Sequence, residues 1–172
     1  MVGASGDLAK KKTYPSLFNL FLDDLLPQNV VIYGFARSPL THDAFRQRIL
    51  PYLIKDADDY VQEMADVFLM KCYYANGKAY NDADAFALAK DDVTGRLGNL
   101  VYNKLFYYAI PPNAFADSTA AIHKVFYDPE DSMFLRIIVE KPFGRDLQTC
   151  EELGVAIGQY FSEKYLFRID HY

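Results

Sequence analysis

Apolar residues at Leu8, Tyr14, Leu17, Phe18, Phe21, Leu22 and Leu25 recur at helical spacing. They predict a helix over Asp7 to Leu26 that Pro15 bends or breaks. The period then shortens: the β-branched run Val30 to Arg37 reads as a buried parallel strand. Thr41 offers a cap for a helix carrying Phe45, Ile49, Tyr52 and Leu53, with Pro51 as an interruption. A helical piece over Tyr60 to Ala65 precedes a second strand over Val67 to Ala75, which turns at Gly77. Asp82 to Asp91 is alanine-rich and helical in pattern, and Asn103 to Ile110 gives a third strand stopped by Pro111 and Pro112. Two further helices are predicted, over Ala114 to Val125 and over Asp146 to Tyr160. The second has Asp146 as its cap and Leu147, Leu153, Ile157 and Phe161 near one face. Phe134 to Glu140 and Tyr165 to Ile169 complete the strands.

Strands that alternate with helices predict an α/β fold, a doubly wound, Rossmann-like parallel sheet with helices on both faces. There is no internal repeat, low-complexity stretch or linker. In such sheets the ligand lies beyond the carboxyl ends of the strands, so the informative residues follow each strand. The first such place is Gly3-Ala4-Ser5-Gly6-Asp7-Leu8-Ala9, a glycine turn leading into the predicted helix. Glycines at 3 and 6 let backbone N–H groups approach an anion, and the helix points its positive end at the same spot. This reads as a pyrophosphate cradle of the variant pattern G-x-x-G-x-x-A. The usual dinucleotide pattern would need glycines where Ser5 and Leu8 stand. Only Met1 and Val2 precede Gly3, where a strand is expected, and the chain stops at Asp170-His171-Tyr172 directly after an apolar run. Both ends predict a piece of a longer protein.

Composition narrows the function. A chain of 172 residues, 51% hydrophobic and 24% charged, folds around one substantial core. Its net charge of −5, with no basic stripe, argues against a nucleic-acid partner, so an anionic ligand must be held by locally placed cations. Cys72 and Cys150 have no metal-ligand spacing and read as free thiols of a reducing, cytoplasmic compartment; no metal is expected. No apolar run reaches membrane-spanning length, and no signal peptide is visible.

Arg37, just past the first strand, stands where a dinucleotide fold meets the adenosine ribose. A carboxylate there suits the 2′-hydroxyl of NAD, and a guanidinium suits the 2′-phosphate of NADP; the alternative is a solvated surface arginine. The run Lys10-Lys11-Lys12 either adds positive charge near the phosphates or, as such runs usually do, forms a solvated helix face. Lys141 ends a buried strand and is kept out of the helical region by Pro142, so it projects toward ligand or else pairs with Glu140 or another acid. Asp170 and His171 are, from chemistry alone, an orienting carboxylate and a base. His42 and His123 fall in helical patterns and read as structural or solvated.

Five stretches together resemble glucose-6-phosphate dehydrogenases: Gly3 to Lys12, Gly34 to Ser38, Phe106 to Pro112, Glu140 to Asp146 and Arg168 to Tyr172. They occur in that family's order and span almost the whole chain. The resemblance covers the family's amino-terminal, coenzyme-binding domain, here residues 1–172, and stops at the first residues of the active-site peptide, so these 172 residues are expected to lack the β+α substrate and dimerisation domain that follows in the family. It implies hydride transfer from C1 of glucose 6-phosphate to NADP, giving 6-phosphogluconolactone at the entry to the oxidative pentose phosphate pathway. It also implies a family that forms homo-oligomers.

Residue by residue, the resemblance implies that Gly3, Ser5, Gly6, Asp7 and Leu8 hold the pyrophosphate. Arg37 takes the 2′-phosphate, and Ala109 also contacts the coenzyme. Lys141 contacts both substrate and coenzyme, and Pro142 resembles a proline whose peptide geometry is linked to coenzyme positioning. His171 and Tyr172 bind the sugar phosphate, and Asp170 orients the base. That base is a different histidine, in the domain that follows, so the chain alone is expected to bind NADP without completing catalysis. Phe115 replaces a coenzyme-contacting tyrosine of some relatives. Two alternatives remain, a non-catalytic NADP-binding module and an oxidoreductase acting on another sugar.

Overall fold

The helix predicted from Asp7 runs through Pro15 without breaking. In the computed structural model, which describes residues 1–54, 58–98 and 100–170, a π-helical turn over Ala9–Thr13 comes first. Helix α1 (Tyr14–Leu22) follows without a gap, and Pro15 sits directly after the π-helical turn. The helix stops short of the predicted Leu26. Asp24 takes the left-handed conformation (φ 55°), its N–H donates to Phe21 O at 3.1 Å, and Leu25 N–H donates to Leu20 O at 2.8 Å. That pair of bonds is a Schellman stop, and Leu25 is left exposed beyond it.

By its internal contacts the chain forms two units, Gly3–Asn76 with Met1, and Gly77–Tyr172 with Val2. In the first, β1 (Ile32–Ala36) is followed by α2 (His42–Leu53), α3 (Asp59–Met70) and β2 (Cys72–Asn76). The two strands pair in parallel from Ile32↔Cys72 to Ala36↔Asn76. Thr41 caps α2 through a 3.1 Å bond from Ala44 N–H, as predicted, and Pro51 lies inside its last turn. Asp58 caps α3 in the same way.

The strand predicted over Val67 to Ala75 is too long by half. Val67 to Met70 is the last turn of α3, in which Ala65, Phe68 and Leu69 are buried while Val67 and Met70 are exposed. Burial at i, i+3 and i+4 is a helical period hidden within a continuous apolar run. The core of this unit is aromatic: Phe18 packs on Phe68 (5.3 Å between centroids), Tyr14 on Phe45 (5.4 Å) and Phe45 on Tyr74 (4.8 Å). Each such ring, fully buried, contributes about 1.5–3 kcal/mol. Cys72 joins the core, and burial pushes its thiol up to about 12. Phe35 links the start of the chain to β1, its N–H donating to Met1 O and its O accepting from Gly3 N–H, both at 2.8 Å.

In the second unit, α4 (Ala83–Leu97), β3 (Lys104–Tyr108), α5 (Phe115–Phe126), β4 (Leu135–Glu140), α6 (Leu147–Gly158) and β5 (Leu166–Ile169) follow in order. The strands lie in the order β3-β4-β5, all parallel, and each crossover carries a helix. Asp146 caps α6 in a capping box with Thr149. Leu147, predicted on the apolar face, is exposed; the helix is anchored from its other end by Ile157 and the following Phe161. Val2 joins this unit by a parallel bridge to Tyr108, donating to Tyr107 O (2.8 Å) and accepting from Ala109 N–H (2.9 Å). Among the described residues, no helix is long and apolar enough to cross a membrane.

Candidate functional site

The glycine turn is built by backbone bonds. Gly3 has φ 87°, open to glycine and strained for other residues, and Gly6 N–H closes the turn onto Gly3 O at 2.9 Å. Gly3 and Ala4 N–H both donate to Phe35 O, at 2.8 and 3.2 Å, which fixes the turn on β1. Gly34 makes that approach possible. A Cβ at Gly34 would stand 2.8 Å from Ala4 Cβ, 3.0 Å from the Tyr14 hydroxyl and 3.2 Å from Phe45 Cζ. Beyond the turn, the helix starting at Asp7 leaves its first N–H groups without intrahelical partners, beside an exposed Gly6. That donor set fits a pyrophosphate.

Asp7 itself turns its carboxylate to Lys10 (2.7 Å) and Lys11 (3.0 Å), whose hydrogen bonds hold it down to about 2. The lysine run is therefore only partly a solvated face. Lys10 is 16% exposed and lies 5.9 Å from the Tyr52 ring centroid, whereas Lys12 is exposed.

Arg37 is exposed one residue past β1. Its neighbour Ser38 is tied back to the turn by a 3.0 Å bond between the Ser38 and Ser5 hydroxyls, and Tyr74 Oη donates to Ser38 O at 2.8 Å. Arg48 of α2 also reaches the turn, its Nη2 donating to Ser5 O at 3.2 Å. The sequence reading named neither Ser38 nor Arg48 as a site residue. The available signal was a cation on the helix that follows the first strand. His42 is structural, as expected: its Nδ1 accepts from Tyr74 N–H at 3.0 Å.

In the second unit, Lys141 and Asp170 come together at the ends of adjacent strands, with Nζ and Oδ2 2.7 Å apart and the side chains 63% and 36% exposed. Lys141 N–H also donates to Ile169 O at 3.2 Å. The acid that Lys141 meets is thus Asp170 and not Glu140. Glu140 is buried and takes the Tyr107 hydroxyl instead. The Lys141–Pro142 peptide is cis. Ala109 stands just past β3, half-buried, with its N–H held by Val2. Phe115 is buried, its ring 5.4 Å from Tyr108 and 6.4 Å from Phe143. His123 stacks on Tyr127 at 4.6 Å, a structural role. His171 and Tyr172, predicted to bind sugar phosphate, lie outside the described residues.

A glycine turn that runs from the Val2 bridge into a helix of a parallel α/β fold, with the Arg48 guanidinium on it, is the arrangement of a dinucleotide-binding domain. A sequence model described as the NAD-binding domain of glucose-6-phosphate dehydrogenase matches residues 1–172, and the chain belongs to that family. The chain is 44% identical to the glucose-6-phosphate 1-dehydrogenase of Dictyostelium discoideum, with all of the chain and 34% of the relative aligned. It is 42% identical to the chloroplastic enzyme of Solanum tuberosum, again over the whole chain and over 30% of the relative. A solved glucose-6-phosphate dehydrogenase in complex with its substrate glucose 6-phosphate superposes with a TM-score of 0.89 at 36% identity. That match covers 99% of this chain and 35% of the other. The doubly wound, Rossmann-like class is therefore that of these relatives, and the chain spans about a third of their length.

Proposed function

We propose that this protein takes part in the oxidation of glucose 6-phosphate at C1, with NADP as the hydride acceptor. The observation that carries the reading is the glycine turn held on β1 and bonded to Ser38, the residue after Arg37, in a chain matched over 1–172 by the family's coenzyme-binding domain. Residues 1–172 are read as one NADP-binding domain.

In this reading Gly3, Ser5, Gly6, Asp7 and Leu8 hold the pyrophosphate, through backbone donors at the helix start. Arg37 takes the 2′-phosphate, and Ala109 lines the coenzyme. When bound, the nicotinamide ring accepts the hydride that leaves C1. Lys141 contacts substrate and coenzyme. Its ammonium gives one of its three donors to Asp170. Asp170 orients the group that takes the C1 hydroxyl proton, and His171 and Tyr172 bind the sugar phosphate. The free thiols of Cys72 and Cys150 fit a reducing compartment, and cytoplasm is the location we propose.

Calorimetric titration with NADP and NAD tests the coenzyme half of the reading. Arg37→Ala is expected to weaken NADP by about 1.5–3 kcal/mol, the range for a hydrogen bond to a charged group, and to leave NAD unchanged. Equal affinity of the two proteins for NADP would remove Arg37 from the site.

A further inference from the structure

Arg46 and Arg48 stand two residues apart on α2, and their partners differ. Arg46 is spent within the fold. Its Nε donates to Cys72 O (3.0 Å), its Nη1 to Asp43 (3.1 Å), and its guanidinium lies 5.4 Å from the Tyr73 ring centroid. Arg48 is exposed, and among the described residues its hydrogen bond is the 3.2 Å contact of Nη2 with Ser5 O. Among the described residues no carboxylate pairs with it. Most of its five N–H donors and all of its charge remain available at the rim of the glycine turn.

Ser5 connects the two arginines that face solvent in this region. Its carbonyl receives Arg48, and its hydroxyl bonds the hydroxyl of Ser38, the residue after Arg37. Ser38 is itself fixed, because the buried Tyr74 donates to its carbonyl. A phosphate monoester at neutral pH carries about −1.5 to −2 charges and has three acceptor oxygens, more than one guanidinium neutralises. We infer that Arg48 is a coenzyme-specificity residue. It supplies the second guanidinium to the 2′-phosphate on the adenosine ribose, with Ser5 and Ser38 between it and Arg37. The inference rests on the NADP reading above and adds to it a residue, a moiety and a basis for selectivity. A guanidinium that served the pyrophosphate would treat NADP and NAD alike, because both carry that group.

The test titrates the chain and its Arg48→Gln and Arg48→Lys variants with NADP, NAD and adenosine 2′-phosphate, at low and at high salt. Arg48→Gln is expected to raise the dissociation constants of NADP and adenosine 2′-phosphate by about tenfold at low salt, to leave that of NAD within about twofold, and to flatten the salt dependence for NADP. Arg48→Lys keeps the charge without the fork and is expected to lose less. Parallel weakening of NADP and NAD would overturn the inference, because it would place Arg48 on the pyrophosphate or make it a prop for the turn. Unchanged NADP affinity in Arg48→Gln would overturn it as well. If the unsubstituted chain bound neither dinucleotide, the NADP reading itself would fall, and the inference with it; if it binds NADP and only the variants behave as unsubstituted, the inference alone falls.

Discussion

The glycine turn and the Lys141–Asp170 pair both sit at strand ends, and they are held in opposite ways. The turn is fixed by backbone bonds to Phe35, by a serine pair and by a methyl group that Gly34 lacks. Its base, Gly3 and Ala4 on Phe35, is buried, while Gly6 at its tip is exposed. The pair is two exposed side chains sharing one ion contact, which water and salt already weaken. A phosphate cradle works through geometry set before the ligand arrives. A lysine that serves a ligand must instead redistribute its donors when one comes.

The sharpest way to break this contrast is Gly34→Ala. The added methyl meets Ala4 Cβ at 2.8 Å and the buried Tyr14 and Phe45, so the turn must lift from β1. Urea unfolding should show a loss of about 1–3 kcal/mol, the usual range for overpacking, together with loss of dinucleotide binding. Binding and stability that both survive would mean that the strand glycine does not seat the turn. Lys141→Met should cost little by comparison, lowering the unfolding free energy by less than about 1 kcal/mol, because both partners of the lost pair are solvated. A larger loss would make the pair structural.

The smallest effect concerns Asp7. Its carboxyl titrates at about 2 when folded, against about 3.9 for a free aspartate. A depressed folded value means that its contribution to stability is present above pH 4 and fades as pH falls from there through about 2. Carbon-detected NMR titration of Asp7 should show the low value move up toward the free one in a Lys10→Met, Lys11→Met double variant. A titration unmoved by that change would show that the lysines are not its cause.

Legibility in the sequence followed the range of each interaction. Thr41 and Asp146 were readable as caps because a cap reaches only three residues along the chain. The glycine turn was readable for the same reason. Arg48 and Ser5 are 43 residues apart, Ser5 and Ser38 are 33 apart, and Lys141 and Asp170 are 29 apart. Nothing local announces those meetings. Val67 to Met70 misled for another reason: four apolar residues in a row satisfy a strand and a helix end equally, and only the packing of Phe68 and Leu69 decides. Pro15 misled because the π-helical turn Ala9–Thr13 stands directly before it and the helix carries on through the proline.

The π-helical turn at Ala9–Thr13 behaves as an insertion of one residue into an otherwise regular helix. The widened turn takes up the extra residue, so the anion-facing start of the helix and the buried face of Tyr14 and Phe18 keep the phase of an uninterrupted helix. Deleting a single lysine from Lys10-Lys11-Lys12 would tighten that turn to the regular period and leave Asp7 and the glycine turn in phase, whereas a residue added where no widened turn absorbs it would swing them by about 100°.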